Sequence, residues 1–250
     1  TTEIYTLSLH DALPISGHMR REWKQWKEAI LHLFFPHCCA GCGSDRLPRH
    51  QPVCMRCMAA LPETGFAAIA DNPIEKKFWG RLPLEAAYAH FYFSRESVIQ
   101  RLMHALKYKG HREWGLFAGR LMGEALIASP RIQPDALIPL PLYASREKAR
   151  GYNQSALLCQ GIAAETGWPV YNDIVIRSRH TESQTHKTRI ERWQNMAGNF
   201  QLINHQPVAG KHLLLVDDVI TTGATLEACG SVLLQAPEVK LSVATLCYAN

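Results

Sequence analysis

No apolar run in the 250 residues approaches the ~18–20 that a membrane-spanning helix needs, so no membrane span is expected. The start of the chain also lacks the basic head and continuous apolar core of a secretory signal. Without export, a disulfide framework is not expected, and the cytoplasm is the expected compartment. Strong charge of either sign is missing too. A net charge of +5 and a pI near 8.8 permit binding to phosphates or nucleic acid without demanding it. There is no internal repeat and no low-complexity block. What remains is an ordinary globular composition, 47% apolar, long enough for one good-sized α/β domain and a small appendage.

Residues 1–19, "TTEIYTLSLHDALPISGHM", do not fit the rest. "GHM" resembles the scar of an expression vector, and the residues before it resemble translated vector sequence. They are read as a tag or non-native leader with Met19 as the biological start; a native disordered tail is the alternative. Residues 20–60 are expected to form an amphipathic helix, with Trp23, Trp26, Ile30 and Leu33 at helical spacing, followed by a finger.

Five of the eight cysteines fall within residues 38–57. The pattern Cys39-x2-Cys42, eleven residues, Cys54-x2-Cys57 supplies four soft thiolates, which suits structural zinc (Zn²⁺) in tetrahedral coordination. Gly43 allows a positive φ where a zinc knuckle turns so that backbone N–H groups face sulfur. The alternative is a set of reduced, buried cysteines. Cys38 is a spare whose spacing to Cys42 is one residue too long.

Residues 61–84, with Pro62, Pro73 and Pro83, read as a linker or an irregular cover. A strand over 85–93 and a helix capped by Ser94 follow, then a helix over roughly 112–128. Beyond that, apolar strands at 135–141, 173–177, 211–218 and 239–249 alternate with helices at 153–167 and 222–236. Strands without polar positions, alternating with helices, predict a parallel sheet flanked by helices over residues 85–250. Two long polar loops are expected at 143–152 and 177–195, and both begin at carboxyl ends of strands, where open α/β sheets bind ligands.

The most informative segment is "LLLVDDVITTGAT", residues 213–225. A buried run delivers two adjacent carboxylates, Asp217 and Asp218, to the sheet edge. A turn through Thr221, Thr222, Gly223, Ala224 and Thr225 then opens a helix. N–H groups at a helix start cradle an anion, and threonine hydroxyls add donors. The carboxylates would repel that anion, so they face hydroxyl groups that donate to them. The ligand this describes is a sugar phosphate. An ordinary buried strand with a capped turn explains neither the paired aspartates nor the threonines.

This segment resembles the phosphoribosyl-pyrophosphate (PRPP) signature of type I phosphoribosyltransferases. The order of the whole chain is similar to the ComF family of competence-associated proteins: a four-cysteine finger, "LKYKG" at 106–110, "PLPL" at 139–142, "RGYNQS" at 150–155, the scattered "R…T…Q…R…N" of 177–195, and the PRPP signature. The resemblance implies a type I phosphoribosyltransferase-like fold with an N-terminal zinc finger. Asp217 and Asp218 would hold the ribose hydroxyls, residues 221–225 the 5-phosphate, and Arg146 and Arg150 the pyrophosphate. A flexible loop with Gln184 and Arg189 would close over the ligand. Ordinary solvated surface is the alternative for the two basic stretches. Mg²⁺ would accompany PRPP. The function implied is PRPP binding, with or without phosphoribosyl transfer, in a protein linked to DNA uptake or utilisation. The alternative is a non-enzymatic PRPP or nucleotide sensor whose finger arginines (Arg46, Arg49, Arg56) and loop 177–192 bind single-stranded DNA, or which binds a competence partner protein. A pure nucleic-acid-binding zinc protein leaves the PRPP signature unexplained.

Overall fold

The computed structural model describes residues 38–48, 51–177 and 199–249. The leader, the helix expected before the finger, Arg49, Gln184 and Arg189 lie outside the described residues.

The main sheet has four strands and is wholly parallel. With a separate two-stranded ribbon included, the strands are β1 (Ala86–Phe93), β2 (Ala136–Pro139), β3 (Val175–Arg177), β4 (Phe200–Leu202), β5 (His212–Ile220) and β6 (Lys240–Ala249), and the main sheet runs β1-β6-β5-β2. The central strands show why the sheet is parallel. Leu213 to Val216 are all buried, as are Leu241 to Tyr248, so neither face of these strands meets water. Each crossover must therefore lay a helix on a face. The register sets Asp217 opposite Thr245 and Pro139 opposite Val216.

The helices are α1 (Met55–Ala59), α2 (Pro73–Lys76), α3 (Val98–Tyr108), α4 (Arg112–Ile127), α5 (Ala144–Arg150), α6 (Gln154–Thr166) and α7 (Ala224–Leu233). Helices α4 and α6 cross at backbone contact through Gly119 and Gly161. A Cβ on Gly161 would lie 2.2 Å from the Leu116 carbonyl oxygen, and one on Gly119 2.3 Å from that of Leu158. Only glycine permits this approach, which packs α6, and the site residues it carries, tightly against its neighbour.

Three local expectations need correction. Ser97, not Ser94, caps α3: its Oγ accepts from Gln100 N at 3.3 Å. The signal was present as Ser97-x-x-Gln100, the spacing of a capping box. Residues 143–152 are not a loop but contain α5. Its sequence "ASREKAR" is built of helix formers and stopped by Gly151 at φ 79°, yet none of its residues is buried, so no apolar period marks it. The strand at 173–177 does not join the main sheet. Only Val175–Arg177 is extended, and it pairs antiparallel with β4. Val175 is buried and Ile176 exposed, the one-sided pattern of an antiparallel ribbon. Of the two readings of residues 61–84, linker or irregular cover, the packing fits the cover. Phe66, Ile74, Phe78 and Leu82 are buried in the core, and Asn72, 1% exposed, caps α2 while its Nδ2 donates to Ala87 O of β1 at 2.7 Å.

Candidate functional site

Two centres emerge, one in the finger and one at the carboxyl edge of the sheet. In the finger, the Sγ atoms of Cys39, Cys42, Cys54 and Cys57 all lie within 4.8 Å of one another. Cys42 Sγ and Cys54 Sγ are 3.7 Å apart. A tetrahedron with metal–sulfur bonds of ~2.3 Å has an edge of about 3.8 Å, so the four thiols are set for a metal ion. The knuckle has the expected form. Gly43 takes φ 75°, and Cys54 N donates to Cys39 Sγ at 3.3 Å. Burial opposes the Cys39 thiolate, but N–H groups of Cys54, Cys42 and Gly41 outweigh it and bring the thiol down to about 6. Gly41 holds the finger to the domain: its carbonyl accepts from Arg101 Nε of α3 at 2.6 Å. Cys38 does not join the four.

At the sheet edge, β5 presents Asp217 and Asp218 as expected. Asp217 Oδ1 accepts from Ser155 Oγ (3.1 Å) and from Asp218 N (2.7 Å). Asp218 Oδ2 lies 3.0 Å from Lys107 Nζ of α3. The two carboxylates therefore have different neighbours. Burial, and then the Asp218 charge, push the Asp217 carboxyl up to about 7; its hydrogen bonds and Lys107 offset this only in part. A carboxylate held at this level gains from any ligand that donates hydrogen bonds to it or brings a cation.

The turn after β5 ends in Gly223, at φ 78°, which caps α7. Threonines 221 and 222 are exposed, and Ala224 and Thr225 half-buried. The first hydrogen bond of α7 runs from Glu227 N to Gly223 O at 2.9 Å, and Ala224 N donates to Thr222 Oγ1 at 3.4 Å, which leaves the N–H groups of Thr225 and Leu226 for an anion. A small cavity of about 50 Å³ is bounded by this turn and Asp217. Gly223 is required from the protein side as well, because a Cβ there would stand 3.0 Å from the Phe78 ring.

Arg146 and Arg150 come together on α5. With Lys107, Tyr108, Gly110 and Ala149 they wall a cavity of about 510 Å³. Lys107 belongs both to this wall and to the ion pair with Asp218, so the basic cavity adjoins the acidic pair. The Arg150 guanidinium lies over the Tyr108 ring (5.8 Å) and that of Arg146 over Tyr143 (5.7 Å).

Sequence reasoning left Lys107, Ser155 and Arg81 without roles. Lys107 and Ser155 lie inside "LKYKG" and "RGYNQS", stretches that carry the family resemblance but no local chemical signal. Arg81 carries no local signal. Its guanidinium donates to Thr222 O at 3.0 Å and pairs with Glu227 across 146 residues of sequence.

Comparisons with known proteins agree with this architecture. The phosphoribosyl transferase domain model matches residues 154–250. A DNA utilization protein YhgH of Shigella flexneri is 30% identical over 213 residues, 84% of this chain and 83% of its own. Competence protein F of Haemophilus influenzae is 33% identical over 200 residues, 80% of this chain and 79% of its own. Among solved structures, adenine phosphoribosyltransferase from Saccharomyces cerevisiae is similar over 69% of this chain and 86% of its own, at 16% identity and a TM-score of 0.36, too low to add weight. By its identity to these relatives over most of both lengths, the chain belongs to the family of competence protein F and the YhgH DNA utilization proteins.

Proposed function

We propose that the chain binds PRPP at the carboxyl edge of its sheet and acts as a phosphoribosyltransferase-type protein in the use of incoming DNA, in the cytoplasm. One observation carries this reading. Two carboxylates in unlike environments stand one turn before an open helix N-terminus and beside a cavity walled by Lys107, Arg146 and Arg150. A molecule with a phosphate at one end, a diol in the middle and a pyrophosphate at the other fits that order of groups.

Each part of the chain then has a task. Residues 221–225 take the 5-phosphate on N–H and hydroxyl donors. Asp217 and Asp218 accept from the ribose hydroxyls, and Ser155 and Lys107 hold the two carboxylates in place. Lys107, Arg146 and Arg150 face the pyrophosphate, where negative charge grows as the bond from ribose C1 to the leaving oxygen breaks. The donor set also fits Mg²⁺. Asp217 has one oxygen occupied by Ser155 Oγ and Asp218 N and its other without a hydrogen bond among the described residues. Hard carboxylate oxygens with substrate oxygens make up the coordination this ion prefers, and when bound it neutralises charge on the leaving group. In the finger, zinc fits the four thiols and would fix the fold of a segment poor in apolar residues.

A second reading rests on a separate feature. Arg46 and Arg56 are exposed on the finger, and a cleft of about 740 Å³ between finger and α3 is lined by Arg101, His104, Lys109 and His111. In that reading the sheet edge senses PRPP or a nucleotide while this basic surface holds single-stranded DNA or a partner. Incubating the protein with PRPP, Mg²⁺ and a panel of nucleobases separates the two. Pyrophosphate release that depends on a base supports transfer. Binding of PRPP without release supports the sensor.

A further inference from the structure

The cover segment reaches the sheet edge from behind and touches the proposed phosphate turn at two points. The Phe78 ring lies beneath Gly223, where a Cβ would stand 3.0 Å from it. Three residues on, Arg81 spans three acceptors. Its Nη1 donates to Lys77 O and Thr222 O, each at 3.0 Å, and its Nη2 pairs with Glu227. The planar guanidinium spreads its donors over two nitrogens and so serves acceptors at different positions at once.

The contact with Thr222 O determines the direction of the next amide. In a trans peptide the C=O of one residue and the N–H of the next point in opposite directions, and no cis peptide occurs among the described residues. The small cavity is walled by Asp217 and residues 219–226 and by no residue of the cover, so Arg81 holds the Thr222 carbonyl from outside that wall. Holding the Thr222 carbonyl outward turns the Gly223 N–H inward. At φ 78°, Gly223 is also the residue best able to flip were that carbonyl released.

Glu227 makes the charge of Arg81 matter as well as its shape. It lies in the first turn of α7, is 4% exposed, and has Arg81 as its cation. An uncompensated carboxylate there would set a negative charge within one turn of the N–H groups that receive an anion. Arg81 cancels it.

We propose that Arg81 is a positioning residue for the phosphate turn: it aims the Gly223 N–H into the anion site and neutralises Glu227, so that the cover segment sets affinity for the 5-phosphate end of the ligand. This rests on the reading of the turn as a sugar-phosphate site. A cover residue that never touches ligand would thus control one end of it and not the other.

The test compares three probes by titration calorimetry: Mg²⁺-PRPP, ribose 5-phosphate and inorganic pyrophosphate. Arg81→Leu should weaken ribose 5-phosphate and PRPP at least thirtyfold and leave pyrophosphate, which faces Lys107, Arg146 and Arg150, within threefold of wild type. Adding Glu227→Gln to Arg81→Leu should restore part of the loss by removing the stranded charge, but not all, because the peptide remains unheld. Arg81→Lys, which keeps the charge and loses the fork, should fall between, and it serves if the leucine variant does not fold. Equal affinity of wild type and Arg81→Lys or Arg81→Leu for ribose 5-phosphate would overturn the proposal, as would an equal loss for all three probes, the mark of general damage. If wild type binds pyrophosphate but neither sugar phosphate, the sugar-phosphate reading itself fails and takes this proposal with it.

Discussion

Replacing Asp217 by Asn should make the protein more stable and less able to bind PRPP. The Asn Oδ1 can keep both hydrogen bonds that Asp217 Oδ1 accepts, from Ser155 Oγ and Asp218 N, so the local structure is preserved. What disappears is a charge in an unfavourable place. Its pKa rises from 3.8 to about 7, first through burial and then through Asp218. The sign follows from linkage: the folded state holds this proton more tightly than the unfolded state. The stabilisation is therefore full below the unfolded value, is lost as pH rises from about 4 to about 7, and stays lost above. Three units at ~1.36 kcal/mol each would be about 4 kcal/mol. The carboxyl is half-buried and shares its titration with Asp218, so about 2 kcal/mol is the working figure. For a chain of this size that is roughly 4–8 °C in Tm. Thermal melts of wild type and Asp217→Asn at pH 5.5 and pH 8 should show the variant ahead by several degrees at pH 8 and the gap narrowing at pH 5.5. An Asn variant that melts lower at pH 8, or a gap that does not change with pH, would refute the electrostatic reasoning.

Other perturbations address separate parts of the account. Cys57→Ser should lose the finger metal, expected at one zinc per chain by elemental analysis, and with it stabilisation on the order of 10 kcal/mol in a small module; a wild type purified without chelator and free of metal would contradict this. Lys107→Met removes the cation 3.0 Å from Asp218 and one wall of the basic cavity, so pyrophosphate affinity should fall about tenfold. Because Lys107 helps hold the Asp217 pKa down, the pH dependence of PRPP binding should also move upward in this variant. Gly161→Val should fail to fold or lose more than ~3 kcal/mol, since its Cβ would overlap the Leu116 carbonyl; denaturant melts decide it.

Both centres were legible in the sequence wherever the signal was local. The four cysteines and the segment "LLLVDDVITTGAT" each lie within about twenty residues, and each meets in space as its spacing suggests. Burial on both faces made β5 and β6 readable as apolar runs. Structure without burial was lost: α5 buries nothing, so it looked like a loop, although its residues favour helix. The partners that tune the site were hidden for another reason. Lys107 meets Asp218 and Arg81 meets Thr222 and Glu227 across more than a hundred residues, and Ser155 reaches Asp217 across 62. Such pairings follow from the strand order β1-β6-β5-β2, which places the first strand beside the last and which alternation alone leaves open. The cover was ambiguous because its prolines spoke for a linker, while its buried Ile74, Phe78 and Leu82, each four residues apart, sit in a stretch interrupted by Gly80 and Pro83, too short for a helical period to stand out.

We propose that the acidic pair and the turn after it form one PRPP site. Calorimetric titration of Mg²⁺-PRPP at pH 8 into wild type and into the Asp217→Asn/Asp218→Asn double variant tests it most directly. The account expects saturable binding of one PRPP per chain by wild type, displaced by ribose 5-phosphate, and at least a tenfold loss in a double variant that remains folded, each lost charge-assisted hydrogen bond contributing ~1.5–3 kcal/mol. No binding by wild type, or equal affinity in the two proteins, would contradict it.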